Sequence, residues 1–298
     1  MSKKKNSTLK RLKDLENSIV KDLLYTDTHF HYSSIIEKRN ELLLQKDYNS
    51  SPWITSELEN LFNSPNFQGM DIGTQYDDLP SRYKTIERYK NIHLSSGVGP
   101  WGVDDELEID KQLEILKSNL SHFPVSAIGE IGLDNYWKFG TPKMQEELFT
   151  KQLDIANELH LPIIIHTRDA DEQTINILKA REFLYGGIIH CFSGGKELAK
   201  VSIEKGLFIS FAGPITYKKN EELREILFST PLNSLLLETD SPYLPPEPFR
   251  GKYNSPLLIP LIYEKASEIK NISIQEISTI VSNNFLNLLG NPKRLDAK

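Results

Sequence analysis

The chain has 298 residues, 39% of them apolar and 26% charged, with a net charge of −6. No apolar run is long enough to cross a bilayer, and the single cysteine, Cys191, excludes an internal disulfide. Residues 1–22 hold seven Lys/Arg and three Asp/Glu, a net +4, which leaves the rest of the chain at −10. An acidic body is a poor general binder of nucleic acid, whose phosphates need Lys and Arg. Any such substrate has to be gripped locally.

The lysine-rich start lacks an apolar h-region and does not read as a secretory signal. With the lone cysteine, this sets the expectation of a cytoplasmic protein with no membrane contact and no obligate protein partner. Residues 1–22 read as a basic N-terminal extension, and 23–298 as one domain. The first strand runs from Leu23 into Asp27-Thr28-His29-Phe30-His31. In an extended chain alternate side chains share a face. His29 and His31 can therefore aim at one point, an arrangement suited to zinc, manganese or iron.

Ile35–Lys46 reads as a helix, broken by Asn49-Ser50-Ser51-Pro52. A short helix over Thr55–Phe62 and a strand over Phe67–Thr74 follow, then a helix over Ser81–Lys90 and a strand over Ile92–Val98. Gly99-Pro100-Trp101-Gly102 is a loop by composition. Apolar residues recur at helical spacing over Asp104–Leu120. Pro124–Gly129 is a strand ending in Glu130. Thr141-Pro142 caps and starts a helix that runs to about His160.

Pro162–Ile165 is an apolar strand ending in His166. After a helix over Asp171–Arg181, the strand Gly187–Ile189 ends in His190. A helix over Lys196–Lys205, a strand over Gly206–Phe211 and a helix over Glu221–Phe228 come next. The strand Ser234–Leu237 leads to Asp240, and helices over Pro256–Ile269 and Ile274–Leu289 close the chain. Ser273 precedes Glu276 at capping-box spacing.

Eight strand–helix repeats in about 275 residues predict a (β/α)8 TIM barrel, with a doubly wound open sheet as the runner-up; the ligand-type residues at its strand ends make it the metal-dependent hydrolase type. Ligand-type residues follow strands one, four, five, six and eight, and only a closed ring brings the first and last strands together. The candidate metal ligands are His29, His31, Glu130, His166, His190 and Asp240. Six are too many for one catalytic zinc and suit two divalent ions sharing a carboxylate. Glu130 is the natural bridge between the pair His29 and His31 and the pair His166 and His190. Asp240 is placed beside the first ion as the general base. His93, His122 and His160 read as structural or solvated.

Five segments carry a family resemblance: Asp27-x-His29-x-His31, Gly129-Glu130-Ile131-Gly132-Leu133-Asp134, Ile165-His166-Thr167-Arg168, His190-Cys191-Phe192-Ser193-Gly194 and Glu238-Thr239-Asp240-Ser241-Pro242-Tyr243. Together, over roughly residues 23–290, they resemble the signatures of the TatD family of metal-dependent deoxyribonucleases. The resemblance implies a barrel of the amidohydrolase type and two divalent ions (Mg, Mn or Zn). It also implies hydrolysis of DNA phosphodiester bonds, often from a 3′ end of a single strand. The chain departs from the pattern at Gly97-Val98-Gly99-Pro100-Trp101, which lacks the family's two histidines. It departs again at Phe249-Arg250-Gly251-Lys252 and Asn254-Ser255-Pro256.

Arg168, Arg250 and Lys252 are candidate phosphate contacts. Trp101 is a candidate base-stacking residue, and Asp134 a candidate orienter of a ligand histidine. Cys191 reads as a small buried residue rather than a nucleophile. The competing reading is a two-metal hydrolase of an ester or amide, such as an aminoacyl-tRNA deacylase or a small-molecule amidohydrolase, because fold and metals do not fix the substrate. A non-catalytic protein that keeps the fold has little use for six converging ligands.

Overall fold

The structure, a computed structural model, describes residues 23–45 and 58–290. The basic extension over 1–22, the helix break at 49–52 and the predicted start of the second helix at Thr55 lie outside these residues. Among the described residues, eight parallel strands follow one another around the sheet in chain order. They are β1 (Tyr25–Phe30), β2 (Phe67–Asp71), β3 (Ile92–Ser96), β4 (Ala127–Asp134), β5 (Ile163–Arg168), β6 (Gly187–Ile189), β7 (Phe208–Phe211) and β8 (Leu235–Leu237). The ring closes just past β8, where Phe30 and Ser241 form a parallel bridge. There the Asp240 N–H donates to the His29 carbonyl at 2.9 Å, and the His31 N–H to the Ser241 carbonyl at 2.8 Å. Closure is thus made by the same residues that carry the candidate ligands, which is the TIM barrel and not the open sheet.

Parallel strands covered on both sides are apolar throughout. Ile163, Ile164 and Ile165 of β5 and Leu235, Leu236 and Leu237 of β8 are all buried. Burying each such side chain stabilises the fold by about 1.5–3 kcal/mol. The helices that cover them are α1 (Tyr32–Leu44), α2 (Leu58–Phe62), α3 (Leu79–Ile86), α4 (Ile109–Leu120), α5 (Pro142–Leu159), α6 (Asp171–Ala180), α7 (Lys196–Glu204), α8 (Glu221–Ser229), α9 (Ile259–Lys270) and α10 (Ile274–Gly290). Thr141 caps α5 by accepting from the Met144 N–H at 3.2 Å. Ser273 does the same for α10, accepting from the Glu276 N–H at 3.1 Å.

Local chemistry moved three expected boundaries. The helix expected from Asp104 starts only at Ile109, because the Leu107 N–H is taken by the Asp105 carboxylate at 2.8 Å, a turn that competes with helix. The last-but-one helix opens as a separate 3-10 turn, Pro256–Leu258, before α9. The strand expected to end at Glu130 continues to Asp134, so Glu130 lies inside β4.

Two irregularities position the site. β1 carries one residue more than β2 between the pairs Asp27–Gly69 and Phe30–Asp71. β4 carries one more than β5 between Ile128–Ile163 and Ile131–Ile165. Each is a β-bulge, which breaks strict alternation and re-aims a side chain. The first falls at Thr28 and His29, the second at Gly129 and Glu130. Gly132, two residues past the second bulge, has φ +143°, a conformation open to glycine and strained for other residues.

Candidate metal centre

β1 and its bulge deliver His29 and His31 to the C-terminal mouth of the barrel with their Nε2 atoms 3.2 Å apart. Glu130 Oε2 lies 3.5 Å from His29 Nε2 and 3.7 Å from His31 Nε2. Asp240 Oδ1 lies 3.7 and 3.5 Å from the same two nitrogens. Ligands at about 2.1 Å in a tetrahedron stand about 3.4 Å apart; the separations within His29, His31 and Glu130, and those from Asp240 to the two histidines, bracket that value.

The other oxygen of Glu130 serves a second pair. Oε1 is 2.7 Å from His166 Nδ1 and 3.0 Å from His190 Nε2, and those two nitrogens are 3.1 Å apart. This half is closer, at hydrogen-bond separations. A single buried carboxylate therefore faces one histidine pair with each oxygen. His29 and His190 stack between the halves, with ring centroids 3.9 Å apart.

The remaining imidazole nitrogens are held from behind. His166 Nε2 meets Asp134 Oδ2 at 3.1 Å, and His190 Nδ1 meets Glu238 Oε1 at 3.3 Å. These contacts favour an N–H on the outer nitrogen, so that the inner nitrogen becomes the ligand when a cation replaces the proton it shares with Glu130. His29 Nδ1 is buried with no hydrogen-bond partner among the described residues.

Charge in this cluster is unusually coupled. Burial alone would raise the Glu130 carboxyl, yet His190, His166 and His29 hold it well below the usual carboxylate range. Burial likewise opposes ionisation of Asp240, and the His31 hydrogen bond with the charges of His29 and His190 brings it below its ordinary value. His190 is lifted well above an ordinary imidazole against its burial, by Glu130 and then Glu238. Imidazoles and carboxylates that can be buried together only by sharing protons are a donor set that divalent cations satisfy directly. Cys191 is half-buried rather than fully buried, and desolvation with the charge of nearby Asp240 and Glu238 pushes its thiol well up, so it is a poor nucleophile.

Asp134, at the end of β4, is buried and sits behind His166. Trp101 is half-buried; its Nε1 donates to the Thr74 carbonyl at 3.0 Å and its ring edge approaches His166 at 6.1 Å between centroids. A Cβ on Gly99 would come within 2.1 Å of that indole, so the two departures from the family pattern fit each other. Arg168 ends β5 with its guanidinium 3.9 Å from the Tyr136 ring centre. Arg250 and Lys252 are exposed on the loop after β8, and Arg250 lies over Tyr217 at 4.5 Å. Among the described residues Arg250 makes no ion pair with the six clustered residues. His93, His122 and His160 stand apart: His93 pairs with Ser126 at 3.1 Å, and His160 ends α5 at φ +59°.

Two buried carboxylates outside the predicted ligand set also support the site. Asp27 accepts from the Thr239 N–H at 2.8 Å and its hydroxyl at 2.7 Å. Burial pushes its carboxyl up to about 8. Glu238 accepts from the Cys191 N–H at 2.7 Å as well as backing His190. The available signals were Asp27's place on the histidine strand and Glu238's position directly after three leucines.

The family profile described as TatD related DNase matches residues 26–290. A Bacillus subtilis protein named uncharacterized metal-dependent hydrolase YabD is 37% identical over 214 residues, spanning 72% of this chain and 83% of that one. The 3'-5' ssDNA/RNA exonuclease TatD of Salmonella typhimurium is 35% identical over 199 residues, 65% of this chain and 76% of that one. Among solved structures, the TatD homologue YjjV of Escherichia coli superposes with a TM-score of 0.75 at 27% identity, covering 90% of this chain and 98% of that one.

Proposed function

The chain belongs to the TatD-related DNase family and is a metal-dependent hydrolase, and from that premise we propose that it shortens single-stranded DNA from the 3′ end by hydrolysing phosphodiester bonds. The observation that carries the reading is the split of Glu130 between two histidine pairs. Two divalent ions fit this donor set, one held by His29, His31, Glu130 and Asp240, the other by His166, His190 and Glu130. Mixed imidazole and carboxylate ligands suit Zn or Mn better than Mg. Such ions, when bound, lower the pKa of water and polarise a phosphoryl oxygen.

The chain's own residues do the rest. The carboxylate oxygen of Asp240 that does not face His29 and His31 accepts the proton of the attacking water. Asp134 and Glu238 hold the outer nitrogens of His166 and His190 and so turn the inner nitrogens toward the centre. The guanidinium plane of Arg168 is fixed by Tyr136, and no hydrogen bond among the described residues occupies its edges, which suits a bidentate grip on a phosphate. Arg250 and Lys252 add positive charge on the loop after β8, where barrels hold phosphate. Trp101 packs beside His166 and borders the substrate. That the Salmonella relative is named an exonuclease of single strands supports this substrate. Among the described residues no helix is long and apolar enough to cross a membrane, and a cytoplasmic site of action agrees with the lone cysteine.

A second reading, hydrolysis of a small ester or amide, is favoured by the indole of Trp101 standing where the family carries histidine. One experiment tests the choice. A 5′-labelled single-stranded oligonucleotide is incubated with Mg²⁺ or Mn²⁺ and then with EDTA, using wild type beside Asp240→Asn. Metal-dependent shortening that falls by roughly 10²–10⁴-fold in the variant is expected. An intact strand with metal bound by elemental analysis would turn the search to esters and amides.

A further inference from the structure

Next to the metal centre, the turn after β4 exposes two large aromatic rings whose part so far is only to steady Arg168: Tyr136, 52% exposed, and Trp137, 62% exposed. Single exposed apolar side chains are ordinary, but two adjacent rings make one contiguous apolar patch, the kind of surface that binding sites use. Their centroids are 5.1 Å apart at 86°, and the Arg168 guanidinium lies 3.9 Å from one and 5.8 Å from the other.

The turn is held rigidly. Asp134 Oδ1 accepts from the Tyr136 and Trp137 N–H groups at 2.9 and 3.0 Å, while Oδ2 of the same carboxylate meets His166. Asn135 donates from its backbone to the Arg168 carbonyl at 2.9 Å and from its side chain to the Asp169 carbonyl at 3.0 Å. Asp134 and Arg168 are register partners one step past Leu133–Thr167 and two past Gly132–His166. The platform therefore begins about 7 Å further along the strand than a metal-facing histidine.

We propose that Tyr136 and Trp137, braced by Arg168, form a stacking platform for unpaired nucleobases beside the bond that is cut. The inference rests on the nuclease reading and specifies how the strand is held. Three features select this occupant. The rings are continuous with the metal centre through Asp134. Arg168 adds a positive charge suited to a phosphate backbone on an otherwise acidic body. Finally, ring faces grip any base without reading its sequence, as an enzyme that removes successive nucleotides requires. A base-paired end has its faces covered, so the platform also makes the enzyme select single strands.

The test uses the Mn²⁺-loaded full chain and two fluorescent oligothymidylates with phosphorothioate linkages at the 3′ end, one intact and one abasic at its last two 3′ positions. Affinities are read by fluorescence anisotropy. Wild type should bind the base-bearing strand more tightly by roughly 5- to 150-fold. Trp137→Ala and Tyr136→Ala should each collapse that ratio toward one, and Trp137→Phe, which keeps a ring, should retain most of it. A wild-type ratio near one, no binding of either strand, or an unchanged ratio in both alanine variants would overturn the platform. Cleavage of an unmodified strand is followed in parallel. A protein that discriminates the strands without cutting retains the platform and loses the nuclease reading; one that cuts without discriminating does the reverse.

Discussion

A Cβ placed on Gly132 would lie 2.0 Å from the carbonyl oxygen of His166 on the neighbouring strand. The two residues are register partners across β4 and β5, and Gly132 holds φ +143°. The backbone that seats one candidate ligand thus depends on the absence of a side chain beside it. Gly132→Ala forces both a strained conformation, worth about 1–3 kcal/mol, and a shift of β5 away from β4. Thermal unfolding should show a loss of at least that size, accompanied by reduced metal content. A variant with wild-type melting temperature and metal content would mean the strands adjust freely there.

Glu130 is the residue on which both halves of the centre depend. Glu130→Ala removes the shared carboxylate and leaves four imidazoles facing one another with only Asp240 among the inner ligands. Metal content and hydrolysis should fall together. Glu130→Gln keeps the shape and loses the charge, and should likewise bind less metal. Activity that survives in a metal-buffered assay of Glu130→Ala would remove its bridging role.

How far the sequence revealed this centre depends on which physical signal each residue carries. His29, His31, His166, His190 and Asp240 follow apolar runs, so strand ends and ligand chemistry coincide along the chain, and β/α alternation then places those ends on one rim. The bulges at Thr28–His29 and Gly129–Glu130 were not legible, because a bulge is a relation between two strands and leaves no periodic mark on one. Glu130 was accordingly assigned to a strand end when it lies inside β4. Asp27 and Glu238 escaped notice as positioning groups because their partners, Thr239 and Cys191, are 212 and 47 residues away in sequence. The Tyr136–Trp137 turn showed nothing in sequence beyond two aromatics near a glycine, since exposure is a property of the fold.

Glu238 tests whether the outer carboxylates matter. It is fully buried and bonds both His190 Nδ1 and the Cys191 N–H. Loss of such an outer partner lowers metal affinity by roughly 10–100-fold. Glu238→Gln should therefore weaken metal binding in competition with a chelator while the protein stays folded by circular dichroism. Glu238→Ala, which also leaves the half-buried Cys191 N–H without its acceptor, should cost stability as well. Equal metal affinity in wild type and Glu238→Gln would reduce Glu238 to a structural anchor of the loop after β6.

Arg250 separates a phosphate grip from a solvated charge. It is exposed over Tyr217 on the loop after β8 and takes no part in the cluster of ligands. If it holds the strand, Arg250→Ala should raise KM for an oligonucleotide by roughly 2- to 10-fold, leave its kcat near wild type, and flatten the dependence of KM on salt. The same variant should hydrolyse a small uncharged ester, if wild type accepts one, with little change in KM. Equal effects on the charged and uncharged substrates would assign the loss to altered loop packing against Tyr217, and the positive rim would then rest on Lys252 and Arg168 alone.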